Sequence, residues 1–474
     1  GLTGPPNDVI VVSPGAATQV VVSVAPASPI TAGSVTTFEV QVQDANGNLV
    51  TGDNSTNITF DPTLSGTVSD VLTGSGDGGY GVAGGAETVQ VAGGVAKVEL
   101  TDLVAEVFSV GVSNDGGYAD PAAPSVTVNP AAANKVVITG PAADFAAGGS
   151  STLTVEVQDA YGNLRSGDNA TVVTFDPTLS GTISGVSTGS GDGGYGVVGG
   201  AEDVTVAGGV AAVDLTDLVA ETFEVAVTSA GLTGPPNDVI VVSPGAATKY
   251  AIVTNIASPK TAGQGFTVRI EVQDANDNLV STYSEAGISL EDTGPDGVTV
   301  FPSTIDVNNG LWEETVTINE ANSGGNQVTL TAGQTTGALA AGSSNAFTVA
   351  PASLDNFKVT FNGTPRNRTA FNAEPLLVSA TVTARDKYNN TLTAFDTSGD
   401  TVTITVSTGN VVNNTVAAAD FVNGVADIKA TNMEYQGNYS GGPVTFTATS
   451  ANVPTATGTS DTVTILPGVV DHFV

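Results

Sequence analysis

Hydrophobic and polar residues alternate along most of this chain with a period of two. In TTFEVQVQD, which begins at Thr36, the residues Phe38, Val40 and Val42 are apolar and the residues between them are polar. Such alternation is typical of a strand with one buried face, and no stretch shows the apolar spacing of an amphipathic helix. The pattern therefore predicts strands throughout, with these three side chains facing a core.

Clusters of Gly, Pro, Asn and Asp divide the first repeat into seven short strands. These residues favour tight turns, because they tolerate or preset the backbone angles that turns require. In sequence order the predicted strands are QVVVSVA (from Gln19), TTFEVQVQD, NITF, ETVQV, AKVEL, VFSVGVS and SVTV. Seven strands in a repeat of 115 residues (44 to 159) indicate a two-sheet sandwich of the immunoglobulin-like class, whose domains run to about 100 residues.

Four aspartates mark a repeat of domain size. Asp44, Asp159, Asp274 and Asp386 each end a strand-like run and open a polar turn, at intervals of 115 residues (44 to 159 and 159 to 274) and 112 residues (274 to 386). These intervals match a domain rather than the shorter unit of a solenoid. We therefore predict an all-β chain of tandem immunoglobulin-like β-sandwich domains in an extended rod.

A proline opens each repeat and sets the predicted boundaries. Residues 1–18 recur unchanged as residues 231–248, where they close the second domain and open the third. We therefore interpret residues 1–13 as the last strand of a preceding domain and residues 467–474 as the first strand of a following one. The four complete domains are predicted at residues 14–129, 130–243, 244–350 and 351–466.

The amino-acid composition argues against some classes of binding partner. The chain has 12 Lys and Arg against 47 Asp and Glu, a formal net charge of −35 and no Cys. A chain so poor in bases is not expected to bind nucleic acid, because phosphate would be repelled. No apolar run approaches the roughly 20 residues needed to cross a bilayer, so no membrane insertion is expected in this segment. The lack of Cys is compatible with export.

Few residues of the chain could form a catalytic site. The sole histidine, His472, lies in the terminal segment, so the complete domains lack the base of a Ser/His/Asp triad and the ligands of a Cys/His zinc site. The segment GSGDGGYG occurs from Gly74 and from Gly189, but it lacks the strand-and-helix context of a dinucleotide site and is interpreted as a loop. Composition leaves a glycosidase-like carboxylate pair open. Because the acids recur in parallel turns, we predict that the protein is not an enzyme.

The acidic turns are the strongest candidate site. Their Asp and Asn side chains offer the hard oxygen ligands that Ca²⁺ takes in groups of six to eight. The same residues also cap turns by bonding their own backbone, and Asn46 becomes Tyr161 in the second copy, so turn capping is the favoured interpretation. Ca²⁺ is the one candidate cofactor, and its candidate ligands are Asp44, Asn46, Asn48, Asp53, Asp159, Asn163, Asp168, Asp274 and Asn278.

A recurring pattern at the start of each domain resembles the bacterial immunoglobulin-like repeats of large surface adhesins, invasin and intimin relatives, and some surface-layer proteins. It reads TAGSVTTFEVQVQDANGNLV from Thr31, AAGGSSTLTVEVQDAYGNLR from Ala146 and TAGQGFTVRIEVQDANDNLV from Thr261. The fourth copy departs from it, with Arg385 before the aspartate and Asn390 at the glycine position, so its turn is expected to differ. The resemblance implies extracellular structural or adhesive work without a catalytic site.

We therefore expect a stalk, filament or surface-layer region of a large prokaryotic surface protein, located outside the cell. Its expected partners are neighbouring copies or adjacent domains of the same protein, end to end, and a cell-surface or glycan ligand. One alternative is an array of glycan- or ligand-binding modules that use the loops at Tyr80 and Tyr195. Another is an accessory region of a secreted hydrolase. An exposed aromatic ring in those loops would favour binding, and a buried ring would favour a stalk.

Overall fold

The computed structural model of the chain is all-β. It describes residues 9–63, 68–75, 85–178, 183–190, 200–293, 300–322, 326–333, 339–363, 379–436 and 443–465. These residues form strands and three short 3-10 helices, and none of them lies in an α-helix. The chain divides into two compact units, residues 1–243 and 244–474. Four hydrophobic cores lie within residues 20–128, 136–242, 250–349 and 357–465.

Nine strands form the first domain. They are β1 (Ala17–Val24), β2 (Ile30–Thr31), β3 (Val35–Asp44), β4 (Asn57–Thr63), β5 (Val68–Ser75), β6 (Glu87–Gln90), β7 (Val95–Asp102), β8 (Val107–Asn114) and β9 (Ser125–Asn129). One sheet has the order β1-β3-β7-β5 and the other β2-β9-β8-β4-β6. The side chains of Phe38, Val40 and Val42 on β3 are fully buried between them, as predicted. The predicted sandwich is therefore confirmed.

The predicted count of seven strands for this domain was wrong. The structure adds the two-residue β2 and the longer β5. Strand β5 lacks a regular alternation, because its pairing with β7 shifts register between Val68 and Asp70 and again between Thr73 and Ser75. A segment with two irregularities in eight residues does not show the period of two on which the prediction relied.

The second domain repeats the first strand for strand. It contains β10 (Ala133–Gly140), β11 (Phe145–Ala146), β12 (Ser150–Asp159), β13 (Val172–Thr178), β14 (Ile183–Ser190), β15 (Glu202–Thr205), β16 (Val210–Asp217), β17 (Thr222–Thr228) and β18 (Asp238–Ser243). Its sheets have the orders β10-β12-β16-β14 and β11-β18-β17-β13-β15. Two domains with matching sequences thus have the same topology.

The third domain keeps the two-sheet arrangement. It contains β19 (Lys249–Ile252), β20 (Lys260–Thr261), β21 (Phe266–Gln273), β22 (Glu285–Asp292), β23 (Val300–Phe301), β24 (Thr304–Val307), β25 (Leu311–Ile318), β26 (Leu330–Gly333), β27 (Gly342–Ser343) and β28 (Val349–Ala350). Four-stranded sheets of order β19-β21-β25-β23 and β24-β22-β26-β27 face each other, and β20 pairs in parallel with β28.

The fourth domain is the least regular. Its strands are β29 (Asn356–Asn362), β30 (Ser379–Arg385), β31 (Thr401–Val406), β32 (Asn410–Val412), β33 (Thr415–Ala417), β34 (Phe421–Val422), β35 (Val425–Asp427), β36 (Glu434–Gln436), β37 (Pro443–Val444), β38 (Phe446–Ser450), β39 (Thr457–Thr459) and β40 (Val463–Thr464). Eight of them form one sheet, of order β33-β31-β38-β39-β29-β30-β35-β34. The 3-10 helices Phe395–Thr397, Ala418–Asp420 and Ile428–Thr431 interrupt the strands.

The two copies of the sequence DVIVVS lie in different environments. In the second domain this sequence is β18, and Ile240 and Val242 are buried at 0% and 2% exposure. Near the beginning of the chain the same four apolar residues, 9–12, are in no strand and are 81–87% exposed. An identical sequence is therefore a core strand in one place and an apolar surface in the other.

The aspartate turns as candidate functional site

The turn at the end of β3 is organised by one carboxylate. Oδ1 of Asp44 accepts hydrogen bonds from the backbone N–H groups of Asn46 and Asn48, both at 2.9 Å. Oδ2 accepts from the backbone N–H of Gly15 at 2.7 Å and from Nδ2 of Asn48 at 3.0 Å. Gly15 follows Pro14, which opens the repeat. The carboxylate thus shapes its own turn and holds the segment that enters the domain.

The same set of bonds recurs in all four domains. In each copy Oδ1 binds the second and fourth residues after the aspartate, and Oδ2 binds the residue after the repeat-opening proline and the side chain of the fourth residue. The donors are Tyr161, Asn163 and Ala131 for Asp159, Asn276, Asn278 and Gly245 for Asp274, and Tyr388, Asn390 and Ala352 for Asp386. The sequence repeat therefore encodes a repeated hydrogen-bond motif.

The fourth turn does not differ in these bonds, contrary to the expectation from its sequence. The glycine position is occupied by Asn389, not by Asn390, and Asn389 adopts a φ of 71°, close to the 82° of Gly47. Asn is among the few residues that enter the left-handed region readily, because its short polar side chain can hydrogen-bond locally. The turn therefore survives the loss of its glycine.

Hydrogen bonds lower the pKa of Asp44, Asp159 and Asp274 and so hold these three carboxylates in their charged form. The pKa of Asp44 is lowered to about 2, first by the side-chain hydrogen bond from Asn48 and then by the backbone N–H groups of Asn48 and Gly15. Burial alone would raise the pKa of Asp159 and of Asp274, but the hydrogen bonds to each carboxylate outweigh burial and lower it. Charged acceptors make stronger hydrogen bonds than neutral ones, so the motif is at full strength at neutral pH.

The candidate calcium ligands fall into two separate turns. Asp44 and Asn48 are in direct contact, whereas Asp53 caps its own turn through Ser55 and Thr56. Asp168 makes the matching contacts with Ala170 and Thr171 in the second domain. Among the described residues no three acidic or histidine side chains form a metal-ligating group. These turns have the geometry of caps, and Ca²⁺ binding to them stays a prediction.

In the second domain the turn also contacts the first domain. Oδ1 of Asn163 accepts a hydrogen bond from the N–H of Ala105 at 2.9 Å, and Nδ2 donates to the carbonyl of Leu103 at 2.8 Å. Nδ2 donates its other hydrogen to Asp159 at 2.9 Å. All three hydrogen-bonding positions of this amide, two donors and an acceptor, are therefore engaged, which fixes its orientation. We call the contact of Asn163 with residues 103–105 the asparagine clasp.

A tyrosine accompanies the clasp. Tyr161 lies against Gly33, so closely that an added Cβ on this glycine would overlap the tyrosine hydroxyl. Gly33 has a φ of 81° and donates its N–H to the carbonyl of Asp102 at 2.7 Å. The glycine is required for its backbone angle and for the approach of the ring.

The contact between the third and fourth domains is built in the same way. Oδ1 of Asn390 accepts from the N–H of Ala321 at 2.9 Å, and Nδ2 donates to the carbonyl of Asn319 at 2.7 Å. Tyr388 lies against Gly263, whose φ is 72° and whose missing Cβ again leaves room for the ring. The same kind of contact therefore joins two pairs of domains that differ in sequence, and we call the contact of Asn390 with residues 319–321 an asparagine clasp as well.

Sequence analysis predicted the positions of the turns but not the contacts that the turns make with the preceding domain. The substitution of Asn46 by Tyr161 was interpreted as a loss of a metal ligand, whereas the ring contacts the preceding domain. A signal was present, because the fourth residue after the aspartate is asparagine in all four copies and the TAG or AAG segment keeps its glycine in three. The loops at Tyr80 and Tyr195, proposed as a binding surface, lie outside the described residues, as does His472.

Comparison with known proteins supplies no family by sequence. No family model matches the chain, and no curated protein matches it. Similar solved structures include a bacterial integrin-binding invasin (19% identity, TM-score 0.32, 95% of this chain and 79% of that one). They also include the adhesin FdeC of Escherichia coli (19%, TM-score 0.34, 73% and 100%) and InvD of Yersinia pseudotuberculosis (19%, TM-score 0.32, 66% and 91%). At 19% identity these are similarities of fold.

No helix within the described stretches has the length and apolar character of a membrane span.

Proposed function

We propose that this chain is a non-catalytic structural and adhesive repeat region of a large prokaryotic surface protein, exposed outside the cell. The observation that carries the proposal is the asparagine clasp, which occurs both between the first and second domains and between the third and fourth. Such a joint gives the second domain a defined position relative to the first, and the fourth a defined position relative to the third. That property suits a stalk, filament or surface-layer component, which must hold a distance or a lattice.

The joint and the entrance to the domain are coupled through one residue. Asp159 binds the N–H of Ala131 in the linker at 2.8 Å and the side chain of Asn163, which makes the clasp, at 2.9 Å. A linker of this kind is restricted at both of its contacts rather than freely hinged. Contacts between domains within a chain are usually modest in area and permit motion, so two directional bonds per joint are a meaningful restraint.

Surface location can be tested on intact cells of the source organism. Antibodies raised against residues 14–243 should label unpermeabilised cells, and external protease should remove the label. An antibody against a cytoplasmic protein serves as the control for lysis. Labelling that appears only after permeabilisation would contradict an extracellular role.

We further propose that the exposed apolar segment at residues 9–12 pairs with a sheet of a neighbouring copy or an adjacent domain of the same protein. Its sequence already forms a core strand elsewhere in the chain, where Ile240 and Val242 are buried. An extended segment with unpaired backbone groups and apolar side chains adds readily to a sheet. The proposed partner is therefore of the same kind as the chain itself.

Light scattering of the full chain over a range of concentrations tests this pairing. Wild-type protein should associate, and Ile10→Asp with Val12→Asp should keep it monomeric. Val107→Asp is the matched control, because Val107 is 65% exposed on β8 and lies far along the chain from the segment. Wild-type protein that stays monomeric, with rapid hydrogen exchange at residues 9–12, would refute the pairing.

A further inference from the structure

A buried aspartate ends the same strand in the first two domains and is used by neither the turn nor the clasp. Asp102 is the last residue of β7 and is 1% exposed, and Asp217 is the last residue of β16 and is 0% exposed. In each, Oδ1 accepts a backbone N–H two residues on, from Val104 or Val219, at 2.8 Å. In each, Oδ2 has no hydrogen-bond partner among the described residues.

An acidic residue follows each of these aspartates closely in the sequence. Glu106 and Glu221 come four residues after Asp102 and Asp217 and are half-buried. Burial, together with the charge of Glu106, raises the pKa of Asp102. Burial and the charge of Glu221 raise the pKa of Asp217, and a hydrogen bond between the two carboxyl groups requires that one of them carry a proton. Each buried aspartate thus interacts with a second acidic group, and leaving a buried polar atom without a partner costs free energy.

The third domain shows that the fold does not need this pair. The carbonyl of Ile318 accepts the N–H of Gly263 at 2.7 Å, as the carbonyl of Asp102 accepts that of Gly33. Ile318 therefore stands where the first two domains have aspartate, and Asn322, four residues later, stands where they have glutamate. The clasp forms there all the same. The acidic pair is consequently not a requirement of the strand, the loop or the joint.

We infer that Asp102 with Glu106, and Asp217 with Glu221, each bind one Ca²⁺ ion. The unpartnered Oδ2 and the neighbouring glutamate supply two hard, negatively charged ligands, and loop carbonyls and water complete the shell that Ca²⁺ requires. A bound divalent cation would also offset the repulsion between the two carboxylates. These sites are distinct from the aspartate turns, whose oxygens already accept backbone and amide donors.

The position of the first site connects it to the joint. Residues 103–105, which receive the clasp from Asn163, lie between Asp102 and Glu106. An ion held by both ends of this loop would fix the backbone groups that the clasp binds. Calcium would therefore stiffen the contact between the first and second domains.

Calorimetric titration of the full chain with CaCl₂, in 150 mM NaCl with excess Mg²⁺ to occupy diffuse sites, tests the inference. Wild type should bind two Ca²⁺ per chain with a Kd on the order of 10⁻⁴ M, in the range of extracellular calcium modules. Asp102→Asn and Asp217→Asn should each lose one ion, and the double variant should lose both. The control is Asp61→Asn with Asp176→Asn, which removes two exposed charges from matching positions of β4 and β13 and should leave two sites.

Thermal melts separate a lost site from a lost fold. Without Ca²⁺ the Asp102→Asn/Asp217→Asn variant should melt at a higher temperature than wild type, because a buried repulsion is removed. With Ca²⁺ wild type should gain stability and the variant should not. Absence of saturable binding to wild type, or binding that persists in the double variant, overturns the proposal. So does an equal stabilisation by the double substitution with and without Ca²⁺, which would mean that each pair holds a proton.

Discussion

The turns of the first and second domains have the same internal hydrogen bonds and different surroundings. Asn48 is exposed, and the structure shows it bound to Asp44 in its own turn. Asn163 is half-buried and binds Leu103 and Ala105 of the preceding domain as well as Asp159. The difference shows that the aspartate makes the turn and the asparagine makes the joint. Substitutions at the two positions should therefore separate folding of a domain from its attachment.

The largest effect is expected from Asp159→Ala. This change removes the acceptor of three backbone N–H groups and of the Asn163 side chain, and unmet hydrogen bonds of this kind each cost about 1 kcal/mol or more. We expect the free energy of unfolding of the second domain to fall by about 4 kcal/mol in urea titrations. Asp44→Ala is the comparison, since it should destabilise the first domain and leave the joint intact. Equal damage to the joint by both variants would contradict the division of roles.

A smaller effect is expected from Asn163→Ala. It removes two bonds across the joint and one to Asp159, for about 2 kcal/mol, whereas Asn48→Ala removes only bonds within a turn, for about 1 kcal/mol. Asn390→Ala in the other unit should behave like Asn163→Ala. Thermal unfolding monitored by calorimetry should show that the first and second domains melt less cooperatively in Asn163→Ala than in wild type, and that Asn48→Ala leaves their cooperativity unchanged.

The glycine under the tyrosine gives a third comparison. Gly33→Ala and Gly117→Ala both place a Cβ on a residue with positive φ, at a cost of about 1 kcal/mol. Only Gly33 faces Tyr161, and the space around Gly117 is open. A double-mutant cycle of Gly33→Ala with Tyr161→Ala should give a coupling energy of about 1 kcal/mol. The cycle of Gly117→Ala with Tyr161→Ala should give none, and a coupling of equal size in both would mean that the ring does not use the glycine.

The smallest effect concerns pH. The pKa of Asp44 is lowered to about 2 by its hydrogen bonds, so its contribution to stability is present above the unfolded pKa of about 3.9 and is lost as the pH falls towards 2. Asp159 has a lowered pKa as well. Melting curves of wild type and Asp44→Asn should differ at pH 7 and converge near pH 2. A difference that is the same at both values would show that ionisation of Asp44 does not stabilise the turn.

The fold was largely predictable because its signal is local. Alternation with a period of two identified β3 and its buried face, and the spacing of the four aspartates identified the repeat. Strand β5 was missed because its pairing shifts register twice. The strand order of the irregular fourth domain, with its eight-stranded sheet, could not be predicted either. Pairing order depends on contacts between distant segments, which a local pattern does not record.

Only part of the candidate site, the turn capped by aspartate, could be predicted from the sequence, for a related reason. Turn capping by Asp44 follows from the chemistry of a short polar side chain at a strand end. The clasp requires knowing that residues 103–105 of one domain meet residue 163 of the next, and nothing local to either segment states this. The burial of Asp102 could not be predicted for the same reason, because LTDLVAE, which begins at Leu100, resembles an ordinary strand end until burial is known.

The central claim, that the asparagine of the turn joins neighbouring domains, is tested most directly by a distance measurement between the first and second domains. The chain has no cysteine, so spin labels at Asp61→Cys and Asp176→Cys report one distance by pulsed electron spin resonance. Wild type and Asn48→Ala should give the same narrow distance distribution, and Asn163→Ala should broaden it. A distribution as narrow in Asn163→Ala as in wild type would contradict the account.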